Sequence, residues 1–314
     1  MYSKNDIVVA SKLKGLTDGD RVKGLLLMKD YKKRKTKTDS YYMDGTLEGL
    51  GSINFKAWGN SEAFDKLDVA DYSDEVVSVF GKVNIFNGIF SVIIEDLNPV
   101  DLTGSSITKE DFFSSKYDGA QYFDVTRKLL SKLADTACLE IFDRVVAPIK
   151  QRFIVEFAAK SHHDNCKSGL IAHTYKCLYI SKILALYPDI IAQQGGNISL
   201  IALGIALHDI GKVQEYTNGS IINSGMIVSH HTFGVEMLVH NKDFIVNLKG
   251  EDFFYRLCAI IEQHHGKYEE SPRTVEAYII HLIDHLESTL QMLGQELEGF
   301  SQGSQIYFDE FKLC

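Results

Sequence analysis

Histidine is distributed very unevenly along this chain of 314 residues. The first of its eleven histidines is His162 and the last is His285. Packing alone does not require so many imidazoles, so the clustering predicts a metal site in the second half of the chain. That half must therefore fold so that residues far apart in the sequence converge on one point.

The first 102 residues consist of short apolar segments separated by polar turns. Five of these segments are predicted to be strands, at 21–28, 41–48, 52–58, 75–83 and 90–97. A helix-like piece at 61–67 lies between the third and the fourth strand. Asn87-Gly88 is a strong hairpin signal, because a type I′ turn needs positive φ at both central residues. This order of elements predicts an OB-type five-stranded β-barrel over residues 1–102.

After the predicted barrel, apolar residues repeat at three- and four-residue spacing, which predicts helices. We expect a helical linker over residues 103–160 that begins at a capping box formed by Ser106 and Glu110. An all-α domain is expected over 161–298, followed by a C-terminal tail over 299–314. The expected fold class is therefore multidomain, with a β-barrel followed by an all-α domain.

The centre of the helical domain is His208-Asp209-Ile-Gly-Lys212, which closes an apolar helix. Gly211 is placed to end that helix with a positive-φ residue. The ligand-type residues follow the order H…HD…H…HH…D and are His173, His208, Asp209, His230 or His231, His264, His265 and Asp284. Imidazole together with carboxylate oxygen favours Mn²⁺, Fe²⁺ or Zn²⁺ over Ca²⁺.

This order of residues resembles the HD superfamily of metal phosphohydrolases. The resemblance implies two divalent ions that share Asp209. The first ion would also be held by His173, His208 and Asp284, and the second by His230, His264 and His265. Two such ions activate a bridging water and neutralise phosphate oxygens.

Two residues near this pattern need a separate decision. His230 is preferred to His231 as the ligand because Gly234 lies four residues beyond it, as in the H-x-x-x-G pattern of the two-metal subset. Lys212 is expected to neutralise a non-bridging phosphate oxygen, although a lysine near a helix end can also be a simple C-terminal cation.

A closer resemblance is carried by Ser161-His-His-Asp-Asn-Cys-Lys-Ser-Gly-Leu-Ile-Ala-His-Thr. It is similar to the N-H-H-x-x-x-G-G-L-L-x-H-T segment of the YhaM family, bacterial HD-domain 3′–5′ exoribonucleases, with Ser168 in place of the first family glycine. Leu207-His-Asp-Ile-Gly-Lys and His264-His-Gly-Lys-Tyr-Glu agree with the same family. The resemblance implies hydrolysis of single-stranded RNA to nucleoside 5′-monophosphates, with single-stranded DNA as a further candidate substrate.

The same resemblance bears on the cofactor and on the catalytic residues. It implies dependence on Mn²⁺, with Fe²⁺, Co²⁺, Zn²⁺ and Mg²⁺ as the other ions to consider. It also adds His163 to a catalytic set that contains Asp209 and Lys212.

Residues 32–37 form a dense basic run, predicted as a loop between the first two strands, and aromatic residues follow it. The residues predicted to contact nucleic acid are Lys32, Lys33, Arg34, Lys35, Lys37, Tyr42, Phe55 and Trp58. Single-strand binding combines phosphate neutralisation with base stacking, which contributes about 1–3 kcal/mol per base. Because the whole chain has a net charge of −9, such binding must come from a local patch.

Two other functions share this sequence pattern. A small-nucleotide HD phosphohydrolase would use the same metal site, but it has no need of a strand-binding barrel. A nucleic-acid-binding factor without catalysis would not be expected to keep the full set of ligands.

The sequence also suggests where the protein is found. Five scattered cysteines without a CxxC pair fit a reducing compartment. We see no signal peptide and no apolar span of about 18 residues, so we expect a cytoplasmic protein without membrane contact. The helical surface of residues 103–160 leaves homo-oligomerisation open.

Overall fold

The computed structural model describes residues 2–13, 15–86, 89–159, 166–266, 270–297, 306–308 and 311–313. The chain divides into two compact units, Met1–Ser115 and Lys116–Cys314. The finer division at residues 102, 160 and 298 stays a prediction. The predicted Asn87-Gly88 turn and His163 lie outside the described residues.

The first unit contains a closed five-stranded barrel with the strand order β1-β2-β3-β5-β4. Its strands are β1 (Arg21–Lys35), β2 (Tyr41–Glu48), β3 (Ser52–Trp58), β4 (Val76–Phe86) and β5 (Ile89–Pro99). The pairings are antiparallel except for the parallel contact between β3 and β5. Helix α1 (Ala10–Leu13) precedes the barrel, and α2 (Glu62–Val69) connects β3 to β4. The predicted OB-type barrel is confirmed.

Alternate residues of the barrel strands face its interior, as the two-residue period of a strand requires. In β3, Ile53, Phe55 and Ala57 are buried, while the residues between them are more exposed. This alternation explains why β3 has the predicted bounds; β2 also has the predicted bounds. It also corrects one prediction: the Phe55 ring is 1% exposed and packs in the core, so it is not available to stack on a base.

Strand β1 is longer than predicted, because it continues through the basic run. Residues 32–35 pair with residues 41–44 of β2, and hydrogen bonding between Thr36 and Ser40 closes the turn. An ion pair of 2.5 Å between Arg34 Nε and Asp44 Oδ1 joins the two strands. The prediction of a basic loop is therefore wrong, since most of this run is the end of a strand.

The second unit is a helical assembly around one apolar core. Its helices are α3 (Gly119–Leu133), α4 (Thr136–Val146), α5 (Lys150–Val155), α6 (Gly169–Ile180), α7 (Pro188–Gln193), α8 (Ile198–Leu207), α9 (Lys212–Glu215), α10 (His230–His240), α11 (Lys242–Lys249), α12 (Glu251–Gln263) and α13 (Val275–Leu297). Two short hairpins pair β6 (Tyr216–Thr217) with β7 (Ser220–Ile221) and β8 (Ile306–Phe308) with β9 (Phe311–Leu313). Helix α8 is buried from Leu200 to Leu207, as its uniformly apolar sequence requires.

The helical linker differs from its prediction at two places. The expected helix start at Ser106 is instead a 3-10 turn, Lys109–Phe112, because Asp111 accepts the Thr108 backbone N–H. The helical linker expected over 103–160 is also interrupted after α4, because Pro148 has no N–H to donate to the preceding turn. None of the helices within the described ranges has the length and apolarity of a membrane-spanning segment.

Candidate metal centre

Five segments of the second unit bring the seven predicted ligands together. His173 lies in α6, His208-Asp209 follow α8, His230 begins α10, His264-His265 follow α12, and Asp284 lies in α13. All of these side chains are buried except those of His265 and Asp284, which are partly buried. The residues are therefore gathered from distant parts of the sequence, as the histidine clustering predicted.

The carboxylate of Asp209 lies at the centre of this group. Its Oδ2 atom is 3.4 Å from His208 Nε2 and 3.7 Å from His173 Nε2. Its Oδ1 atom is 3.6 Å from His230 Nε2 and 3.5 Å from His264 Nε2. Each oxygen of one carboxylate thus faces its own pair of imidazoles.

The remaining ligand-type residues extend each pair into a larger group. The first group consists of His173, His208 and Asp284, and the second of His230, His231, His264 and His265; within each, one donor atom per residue lies within 4.8 Å of the others. Two donors that bind one ion at about 2.1 Å lie about 3.0–3.4 Å apart. The 3.1 Å distance from His173 Nε2 to Asp284 Oδ1 falls in that range, and the distances around Asp209 lie close to it.

Two buried glutamates orient histidines of the centre from behind. His173 Nδ1 donates to Glu287 Oε2 at 2.7 Å, and His230 Nδ1 donates to Glu215 Oε2 at 2.6 Å. With the proton on Nδ1, the Nε2 lone pair points toward Asp209. Sequence reasoning missed both glutamates, although Glu287 lies one helical turn after a predicted ligand and therefore shares its face.

Backbone carbonyls orient two further histidines in the same way. His208 Nδ1 donates to the Ile205 carbonyl at 2.7 Å, and His264 Nδ1 donates to the Ile261 carbonyl at 2.8 Å. Each carbonyl belongs to the last turn of the helix that precedes its histidine, where carbonyls have no intrahelical partner. The ends of α8 and α12 therefore fix both the tautomer and the direction of these rings.

Three buried atoms at the centre have no hydrogen-bond partner within the described residues: Asp209 Oδ1, His230 Nε2 and His264 Nε2. Leaving such an atom unpaired costs about 1–3 kcal/mol. Burial lowers the pKa of both imidazoles well below its ordinary value, so they are neutral and their lone pairs are available. A divalent cation between them would satisfy all three atoms.

The charges of the centre lead to the same conclusion. Within the described part of the second unit, four carboxylates surround it: Asp209, Asp284, Glu215 and Glu287. Two ammonium groups contact them, Lys212 at 2.7 Å from Asp209 and Lys176 at 3.4 Å from Glu287. Although burial opposes it, the Lys212 charge and the neighbouring histidines hold the pKa of Asp209 well below its usual range. Additional positive charge is therefore favourable, and the residues fit a divalent metal ion.

Lys212 is buried, and its ammonium contacts a carboxylate instead of open space. Burial would lower its pKa, but the charge of Asp209 raises it, so the side chain stays protonated. The structure thus gives Lys212 a contact that holds Asp209 in place. Its predicted contact with a phosphate oxygen stays a prediction.

Two backbone positions next to the ligands are informative. Gly211 has φ −67°, so the prediction of a positive-φ helix end is wrong. A Cβ there would lie 1.9 Å from the His230 carbonyl oxygen, so glycine is needed for the close approach of α10. Ser168, where the YhaM pattern has glycine, adopts φ +66° at the start of α6. The backbone thus keeps a conformation that suits glycine better than serine.

Cys177 lies one turn after His173, with its Sγ atom 3.7 Å from His173 Nε2. Burial raises the pKa of this thiol to about 11. It is therefore a neutral thiol in the core.

The barrel carries an aromatic pair on the face formed by β2 and β3. Tyr42 and Trp58 are cross-strand partners whose ring centroids lie 5.2 Å apart. Lys56 Nζ lies 5.6 Å from the first ring centroid and 6.0 Å from the second. Sequence reasoning missed Lys56, although its position two residues before Trp58 places it on the same face. Partly exposed rings beside a cation can stack a base and attract its phosphate.

The basic run offers less unpaired charge than the sequence suggested. Three of its five cations form ion pairs within the barrel: Lys33 with Asp68 at 2.7 Å, Arg34 with Asp44 at 2.5 Å and Lys35 with Asp39 at 3.0 Å. Lys32 and Lys37 are exposed. These two residues are therefore better placed to meet a phosphate than the other three.

Comparison with known proteins identifies the domain that carries the metal centre. Residues 170–289 match the family model described as HD domain. This part of the second unit is therefore similar to HD domains. All seven predicted ligands lie within the matched residues, so the predicted HD-type helical domain is confirmed.

The relatives of this chain extend the similarity beyond the matched residues. A protein named 3'-5' exoribonuclease YhaM from Oceanobacillus iheyensis is 25% identical over 311 residues, covering 91% of this chain and 90% of the relative. The protein of the same name from Bacillus subtilis is 24% identical over 301 residues, covering 91% and 90%. The predicted resemblance to the YhaM family is therefore confirmed.

Among solved structures, the mitochondrial single-stranded DNA binding protein Rim1 from S. cerevisiae is 12% identical with a TM-score of 0.24, covering 27% of this chain and 98% of that one.

Proposed function

We propose that this chain is a metal-dependent 3′–5′ exoribonuclease that degrades single-stranded RNA to nucleoside 5′-monophosphates. The observation that carries the proposal is the convergence of two imidazole pairs on the two oxygens of Asp209, within an HD domain that follows an OB-type barrel. The relatives named exoribonuclease match 91% of the chain, which supports the same reaction.

Two divalent ions are proposed at the centre, with Mn²⁺ first and Fe²⁺, Co²⁺, Zn²⁺ or Mg²⁺ as alternatives. The proposed ligands are His173, His208, Asp209 and Asp284 for one ion and Asp209, His230, His264 and His265 for the other. When bound, such ions lower the pKa of a coordinated water and neutralise the charge of the scissile phosphate.

The residues around the ligands have supporting tasks in this proposal. Glu287 and Glu215 keep two imidazoles in the ligating tautomer. Lys212 holds the Asp209 carboxylate ionised and in place, and it is the nearest cation to any phosphate bound there. His163 is proposed to approach the phosphate from a segment outside the described residues.

The barrel is proposed to bind the single strand that the HD domain shortens. Tyr42 and Trp58 are proposed to stack bases, and Lys56 to neutralise an adjacent phosphate. Lys32 and Lys37 extend this surface as exposed cations. Single-stranded DNA is proposed as a second substrate, because stacking and phosphate attraction do not require a 2′-hydroxyl.

The proposal is tested by following a 5′-labelled single-stranded RNA over time with the full chain and Mn²⁺. Asp209→Asn and a chelator lane serve as negative controls, and His240→Ala, an exposed histidine of the same domain, serves as the matched control. We expect a ladder that shortens from the 3′ end, unchanged in His240→Ala and absent in both negative controls. Internal cuts, or faster turnover of a cyclic dinucleotide or another small nucleotide, would contradict the proposal.

Cellular location and assembly are separate parts of the proposal. A cytoplasmic location is supported by Cys138, Cys177 and Cys258, which are free thiols. Homo-oligomerisation is tested by measuring the mass of the full chain in solution, and a purely monomeric mass at micromolar concentration would remove it.

A further inference from the structure

We propose that His231 is itself a metal ligand. Together with His230, His264 and His265 it would form a four-imidazole site, unlike the group that contains Asp284. This inference rests on the proposed function, because it concerns the same centre. The family resemblance assigns the second ion to the other three histidines and gives His231 no role.

The position of His231 is the first argument. It is 5% exposed, although it lies in the first turn of α10. Its ring centroid is 4.2 Å from that of His230, 4.8 Å from that of His264 and 4.6 Å from that of His265. One donor atom from each of these four residues lies within 4.8 Å of the other three. Adjacent residues of a helix normally project about 100° apart. A shared metal ion would explain why the adjacent His230 and His231 both face His264 and His265.

The second argument is that packing does not account for the cluster. His230 and His264 each direct a buried Nε2 toward Asp209 Oδ1, at 3.6 and 3.5 Å. None of these three atoms has a hydrogen-bond partner in the described part of the chain. Imidazoles buried in this way lose hydration without replacement unless an ion accepts their lone pairs. A cation held among the four histidines would accept the lone pairs of His230 and His264, and it would lie within reach of a donor atom of His231.

The donor composition predicts which ion the site selects. Imidazole nitrogen suits Zn²⁺, Co²⁺, Fe²⁺ and Ni²⁺, whereas carboxylate oxygen and water suit Mn²⁺ and Mg²⁺. The four donors that lie within 4.8 Å of one another are all imidazole nitrogens, and Asp209 Oδ1 approaches two of these residues, His230 and His264. The other group combines two imidazoles with Asp209 and Asp284. We therefore expect the chain to hold two different metals, a nitrogen-preferring ion at His231 and Mn²⁺ at the other group.

The test is a Co²⁺ titration of the chelator-stripped full chain, followed by visible absorption, because the Co²⁺ band depends on the number of nitrogen donors. We expect His231→Ala to weaken the tighter Co²⁺ step at least ~10-fold, since loss of even an outer-shell partner costs about 10–100-fold. The band should shift as well. His240→Ala, an exposed histidine at the other end of α10, should titrate like the wild type. His231→Gln, which preserves side-chain volume, should show the same loss and so excludes a folding artefact.

The outcome is independent of nuclease activity. Equal Co²⁺ affinity and an unchanged band in the wild type, His231→Ala and His231→Gln would overturn the inference, even if the chain degrades RNA. If both His231 variants lose the tight Co²⁺ step but the wild-type chain degrades no RNA, the inference stands and the proposed function is refuted.

Discussion

The hydrogen bond between His173 and Glu287 gives a quantitative prediction for metal binding. Glu287 Oε2 accepts from His173 Nδ1 at 2.7 Å, and both side chains are buried. Glu287→Gln keeps the volume and an acceptor oxygen but removes the negative charge. A hydrogen bond to a charged group contributes about 1.5–3 kcal/mol, and a neutral one about 0.5–1.5 kcal/mol. The free energy of metal binding through His173 should therefore become less favourable by about 1–2 kcal/mol.

That loss corresponds to a metal affinity about 5–30-fold weaker at the group that contains His173. Glu287→Ala removes the acceptor altogether and should cost about 10–100-fold. The assay is a competition titration of Mn²⁺ between the full chain and a chelator of known affinity. Glu236→Gln, on the exposed side of α10, is the matched control and should bind like the wild type.

Lys176 needs a control of its own, because its ammonium lies 3.4 Å from Glu287 Oε1. Lys176→Met removes that ion pair and leaves the bond to His173 in place, so its Mn²⁺ affinity should change much less. If Glu287→Ala binds Mn²⁺ as tightly as the wild type, or if Lys176→Met causes the same loss, the orienting role of Glu287 is refuted.

Three further predictions concern a backbone contact, the pH dependence of barrel stability and the aromatic residue Trp58. Gly211→Ala should destabilise the chain by about 1–3 kcal/mol and reduce its metal content, because its Cβ would lie 1.9 Å from the His230 carbonyl oxygen. Gly294→Ala, which meets open space in α13, should be neutral or slightly stabilising, and equal melting temperatures for the two variants would contradict this. Burial raises the pKa of Glu48 from 4.5 to about 7, so the folded barrel retains a proton that the unfolded chain releases in that window. Barrel stability should therefore fall by at most about 3 kcal/mol as the pH rises from 4.5 to 7, and Glu48→Gln should flatten this profile. Denaturant unfolding followed by the single tryptophan, Trp58, measures this, and an unchanged profile in Glu48→Gln would be evidence against it. Trp58→Ala should weaken binding of long single strands by about 1–3 kcal/mol and affect cleavage of very short ones less, whereas equal losses on both would remove the stacking role.

The elements predicted well from sequence are those with a clear period. Strand β3 has the predicted bounds, because its buried residues alternate without interruption, and β2 has the predicted bounds with Met43 and Leu47 buried on one face. The end of β1 was missed, because its charged residues look like a solvated loop. Its extended conformation depends on pairing with β2 and on the contact of Arg34 with Asp44, which lie ten residues apart. Composition alone does not show such cross-strand partners.

The ligand-type residues were predictable, but the residues that support them were not. A histidine cluster is visible in the sequence, and spacing separates it into the segments that the fold brings together. Glu215 supports His230 across a connection with no helical period, so its role depends on the tertiary fold. The sequence predicts a positive-φ helix end at Gly211, because it does not show that the backbone of α10 lies close to this residue.

The surface ion pairs of the basic run should affect how strand binding responds to salt. A lysine or arginine that neutralises a phosphate displaces condensed counterions, and log affinity then falls by about 0.7 per unit of log salt for each contact on a single strand. The three paired cations of the basic run already have a carboxylate partner, so exchanging it for a phosphate displaces few counterions. If Lys32, Lys37 and Lys56 carry the phosphate contacts, the slope should be about −2, and not the −4 expected if all six cations contributed. We therefore expect Asp39, Asp44 and Asp68 to make strand binding less sensitive to ionic strength.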